Sequence, residues 1–88
     1  MASRAHWSYE QKVAFEAVKN EWRREGAWAD DCFDAGDLIG AARHWRTCAA
    51  LLLVLDAAPR ALDALANAND CERLAVQRGL TMALDGLR

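Results

Sequence analysis

Helix breakers and strand formers are both scarce in this sequence. It holds one proline and five glycines among 88 residues. Valine, isoleucine and threonine are few, so little favours a pleated backbone. No segment alternates apolar and polar residues long enough to make a strand. An excess of one charge is also missing: 11 basic side chains stand against 13 acidic ones, for a net charge of −2. That balance excludes a dedicated nucleic-acid binder, which needs a basic stripe. It also excludes a polybasic helix lying on a membrane surface. Three cysteines are an odd number, and Met1 to Ser8 has no apolar stretch of the kind a secretory leader carries. The thiols are expected to be reduced and the protein cytoplasmic. The longest apolar run, Cys48 to Leu55, falls far short of the ~20 residues that cross a bilayer.

What is present is alanine, leucine and a hydrophobic fraction of 53%. The expectation is one all-α domain over residues 1–88, a small bundle of four to five short helices. A chain of this length buries only roughly 60–65% of the surface its unfolded form exposes. So much apolar area exceeds what so small a core can take in.

Ser8 and Gln11 have capping-box spacing and start the first helix. Ala14, Phe15, Val18 and Trp22 then share a face, with Val13 and Ala17 beside them. Gly26, after Arg23 and Arg24, reads as its C-cap. Trp7, just before the cap, reads as a staple. A short second helix is expected from Ala27 to Ala35, stopping at Gly36. Asp37 caps the third, which turns Leu38, Ala41, Ala42, Trp45, Cys48 and Ala49 inward and continues to Leu55. Pro59 fits the first turn of a fourth helix lined by Leu62, Leu65 and Ala66. Asn69 and Glu72 repeat the capping-box spacing and start a fifth, with Val76, Leu80, Ala83, Leu84 and Leu87 as its buried stripe. Gly79 lies in the middle of that helix, where it costs ~1 kcal/mol relative to alanine.

Leu51, Leu52, Leu53, Val54 and Leu55 cover every face of a helix. Part of that segment is therefore expected in an interface with a second copy or a partner. Trp22 and Trp45 fall on apolar faces and read as core, whereas Trp28 is a candidate partner anchor. Arg43 and Arg46 project beside an acidic cluster, and intramolecular pairing is their expected role.

Trp28 and Ala29 are a bulky residue followed by a small one. Gly36 and Asp37 supply a turn. Ala41 is a small residue early in the next helix, Trp45 an aromatic one turn on, and Cys48 a small residue after it. On these positions, residues Glu25 to Leu51 resemble one tetratricopeptide repeat, a helix–turn–helix unit. Glu25, Cys32 and Leu53 depart from the tryptophan, tyrosine and closing proline that this family prefers. The resemblance implies a scaffold that holds a peptide or helix of another protein, and no catalysis.

Three groups of residues carry candidate chemistry. Asp30, Asp31 and Asp34, with Asp37 beyond, resemble the magnesium motif of prenyl-diphosphate enzymes. The same carboxylates with Glu21 and Glu25 crudely resemble small all-α nucleotide pyrophosphohydrolases, although the spacing differs. Helix-dipole stabilisation and capping explain the acidic residues as well. Cys32, His44 and Cys48 make a triple of zinc-ligand types without a tight Cys-x-x-Cys pair; core packing is the alternative. Nothing orients His44 as the base for a cysteine nucleophile.

The expectation is therefore a small cytoplasmic protein-binding module that is not an enzyme and needs no cofactor or metal. Its partner would be another protein, with a homo-oligomer expected, and neither nucleic acid nor membrane. The expected contact residues are Trp28, Arg43, Arg46, Leu51, Leu52, Leu53 and Leu55. An adaptor, or an inhibitor from a mobile element that blocks a larger complex, fits this size. A magnesium-dependent nucleotide or diphosphate hydrolase built on the acidic patch is the alternative.

Overall fold

The computed structural model describes residues 7–87 as three helices: α1 (Tyr9–Asp34), α2 (Leu38–Val54) and α3 (Ala58–Gly86). The all-α class holds. The expected four to five helices do not, because two of the proposed breaks are bridged. Gly26 lies inside α1, where it faces Cys48 of α2, and the helix continues through it to Asp34. Asn69 lies inside α3, which runs unbroken from the Pro59 turn to Gly86. The first six residues, including most of the segment read as lacking a leader, lie outside the described region.

The remaining boundary signals act as local chemistry dictates. The Ser8 hydroxyl accepts the Gln11 amide at 3.1 Å, and the Gln11 side chain accepts the Ser8 amide at 2.8 Å. Trp7 reaches one turn beyond a usual staple and packs edge-on against Phe15, with ring centroids 5.2 Å apart. The Asp37 carboxylate caps α2 by accepting the Gly40 amide at 2.9 Å.

Both interhelical turns have the same backbone design. After α1, the Asp37 amide donates to the Cys32 carbonyl and the Gly36 amide to Phe33. After α2, the Ala57 amide donates to Leu52 and the Asp56 amide to Leu53. Each is a Schellman closure, which needs one left-handed residue. Gly36 fills that place with φ 82° and Asp56 with φ 58°.

Two such hairpins lay the helices side by side, with α2 in the middle and packed on both neighbours. The outer helices outrun it, having 26 and 29 residues against 17. At 1.5 Å per residue, α2 is about 25 Å long, whereas α1 and α3 are about 39 and 43 Å. The start of α1 projects past one end of α2 and the last turns of α3 past the other. The result is a narrow plank measuring 65 × 21 × 12 Å. Its radius of gyration is 17.2 Å, against about 12 Å for a close-packed chain of this length.

The core is made of small residues. α1 buries Ala29, α2 buries Ala41, Ala42, Cys48 and Ala49 between Leu38 and Leu52, and α3 buries Ala61, Ala64, Ala68 and Cys71. Trp45 is half-buried and packs against both halves of this seam. Two expected core faces are not core. Leu62 and Leu65 of α3 are exposed, and so are Val76, Leu80, Ala83, Leu84 and Leu87. Alanine at the contacts lets α3 approach α2 closely, and the larger side chains are turned outward as a consequence.

Candidate protein-binding surfaces

The start of α1 and the last turn of α2 flank an apolar groove of about 320 Å³. Trp7, Ala14, Phe15 and Val18 form one wall, and Val54 and Leu55 form the other. It exists because α1 extends beyond the point where α2 ends. Val54 is 70% exposed beside it. Of the leucine run, Leu52 is buried in the seam, Leu51 and Leu55 are half-buried, and Leu53 is exposed. The single run is thus split between core and surface, and Leu52 is not available to a partner.

A second groove, of about 500 Å³, lies between the outer helices with Trp45 at its floor. Asp30 and Phe33 of α1 line one side, and Asn67, Asp70 and Leu74 of α3 the other. Neither groove was singled out in the sequence, because each depends on how far one helix outruns or overlaps another. The signal available for the first was the adjacency of Val54 to the leucines. For the second it was a tryptophan on a helix otherwise lined with alanine.

Trp28, the expected anchor, is 46% exposed and sits tilted against the His44 ring at 5.6 Å between centroids. His44 in turn faces Glu25, with Nδ1 2.5 Å from the carboxylate. Glu25 is the one buried charged residue among those described. Arg43 is exposed. Arg46 pairs with Glu72 of α3 rather than with the acidic cluster. Arg60 of α3 lies over the Trp22 ring at 5.8 Å, a cation–π contact that ties α3 to α1.

The chemical constellations do not converge. Among the described residues, no group of three His, Cys, Asp or Glu side chains is placed to hold a metal ion. Asp30, Asp31, Asp34 and Asp37 are exposed, and Asp37 is engaged as a cap. The Cys48 thiol is fully enclosed and points at the Trp22 carbonyl, 3.7 Å away. Burial, then the nearby Glu25 and Asp30 charges, push it up to about 11. Burial and the Asp37 carboxylate raise Cys32, and burial raises Cys71. All three thiols are free and protonated at neutral pH, a state that suits packing and not attack.

No helix among the described residues is long and apolar enough to cross a membrane. Compared with known protein families, with curated proteins and with solved structures, the chain matches none.

Proposed function

We propose that this chain is a small protein-binding helical module, acting in the cytoplasm as an adaptor or as an inhibitor of a larger complex, with no chemistry of its own. The observation that carries this reading is the apolar groove lined by Trp7, Phe15, Val18, Val54 and Leu55. Its walls are aromatic and aliphatic except at Gln11. It matches the apolar side of an amphipathic helix or short peptide, the way a helix is held in a groove. The likeness of Glu25 to Leu51 to a tetratricopeptide unit supports the same reading, since such hairpins serve as scaffolds for peptides. Trp28, Leu53 and Arg43 extend the accessible contact area.

The test is affinity capture under native conditions with the wild type and a Val54→Asp variant. Val54 is 70% exposed, so its replacement leaves the fold intact, which circular dichroism checks. A stoichiometric protein held by the wild type and lost from the variant supports the reading. A partner held equally by both, or none by either, removes the groove as a binding site.

A further inference from the structure

The outer side of α3 carries a largely apolar stripe that no other described residue covers. It starts at Leu62 and ends at Leu87, in alternating steps of four and three residues through Ala66, Asn69, Arg73, Val76, Leu80 and Ala83. Every one of these positions is exposed. Leu62 is 68%, Val76 63%, Leu80 59% and Leu87 83% exposed. The stripe lies away from the Ala61, Ala64, Ala68 and Cys71 seam that faces α2. An alternating four–three spacing is the seam of two paired helices.

We infer that α3 pairs antiparallel with α3 of a second copy, making a closed two-fold dimer. This names one partner of the binding module proposed above, on a surface separate from the Phe15–Val54 groove, so either idea can fail alone. Reversing one α3 against another about a point between Leu74 and Ala75 stacks the stripe in layers. Leu62 meets Leu87 of the second copy, Ala66 meets Ala83, Asn69 meets Leu80 and Arg73 meets Val76. The end layer sets leucine on leucine and the next alanine on alanine, the two inner layers each set a polar residue on an apolar one, and each layer occurs twice by symmetry. Asn69 and Arg73 sit near the middle, where a polar residue fixes register at some cost in stability. The Arg73 stem packs while its charged end reaches water.

Two further observations favour a second copy over an unrelated helix. The chain exposes 6379 Å², whereas a close-packed monomer of its mass exposes about 5,200 Å². The excess is of the order that one partner gives up in a standard interface, about 800 Å². The α1 edge of the plank is more polar than the α3 edge. Its outward positions include Lys12, Glu16, Asn20, Arg23 and Arg24 beside exposed Tyr9 and Val13. Pairing through the more apolar edge alone gives a closed pair, where two equally apolar edges would give a growing chain.

Light scattering on the eluting wild-type protein should give about twice the 9.8 kDa chain mass. Leu80→Glu, on an exposed position, should give a monomer with unchanged helix content. Ala66→Glu with Ala83→Lys places opposite charges in the same layers and should keep the dimer. Ala66→Lys with Ala83→Lys should weaken it by at least about tenfold, because like charges then meet. A parallel pair would weaken both double variants alike, because each residue then meets its own copy and like charges stand together in both. A wild-type monomer, a dimer indifferent to Leu80→Glu, equal weakening of the two double variants, or a dimer broken by Val54→Asp instead would each overturn the inference.

Discussion

Glu25 of α1 and His44 of α2 face each other across the helix contact, with the carboxylate 2.5 Å from Nδ1. Trp28 packs tilted against the His44 ring, with centroids 5.6 Å apart. Glu25 is only 9% exposed, and its carboxylate is held by this partner. Removing His44 by His44→Ala leaves a buried carboxylate unpaired, and the expected loss is about 1–3 kcal/mol in urea unfolding. Glu25→Gln keeps a hydrogen-bonding group of the same shape and should cost less. Equal losses from the two variants would mean that the contact is packing and not pairing.

The matched turns make opposite predictions. Gly36 and Asp56 both have left-handed backbones, with φ of 82° and 58°, but only one of them is glycine. Gly36→Ala should destabilise by about 1–2 kcal/mol, the penalty a Cβ meets in that region. Asp56→Gly should stabilise by up to about 1 kcal/mol, because it relieves the same penalty. Thermal denaturation of the two variants against the wild type checks both signs.

These turns also show what could be read from the residues beforehand. Ser8, Gly36, Asp37 and Pro59 act where they were expected to, because caps and turns are settled by a few neighbouring atoms. Gly26 and Asn69 were misleading for the opposite reason. A glycine or asparagine permits a helix end without requiring one, and packing against α2 holds both helices straight through. The buried faces were misjudged by size. Leu62, Val76 and Leu80 looked like core because large apolar side chains usually are. Here α2 is flanked on both sides, and Ala61, Ala64 and Ala68 win the contact by allowing close approach. Glu25 gave no sign of burial, since its partner lies 19 residues away. The Phe15–Val54 groove depends on the unequal lengths of α1 and α2, which no single segment records.

Gly79 offers a local test of the free end of α3. A Cβ built there meets nothing within 4 Å, and residues 76–87 are exposed throughout. No close crossing among the described residues explains this glycine. Gly79→Ala should therefore favour the helix by about 0.8–1.0 kcal/mol. The gain belongs to a segment with few contacts to the rest of its own chain, so in the monomeric Leu80→Glu background it should slow hydrogen exchange of the amides near residues 76–87 more than it raises the global unfolding midpoint. A large rise in the midpoint with unchanged local exchange would show that this end is coupled to the body.

Cys48 contributes to the alkaline limit, in the same direction as Cys32 and Cys71. Its thiol ionises near 9.0 in a solvated chain and is pushed up to about 11 in the fold, by burial first and then by Glu25 and Asp30. The unfolded chain therefore releases this proton at lower pH than the folded one. The resulting stabilisation is complete below pH 9 and declines as the pH rises through about 11. Midpoints of urea unfolding should hold level up to pH 9 and then fall. Cys48→Ala should lower the midpoint at neutral pH by about 1 kcal/mol, through lost packing of an enclosed side chain. It should also flatten part of the alkaline decline, since one titrating group is gone. A decline that persists unchanged in Cys48→Ala would assign the alkaline limit to other groups and leave the enclosed thiol with a packing role alone.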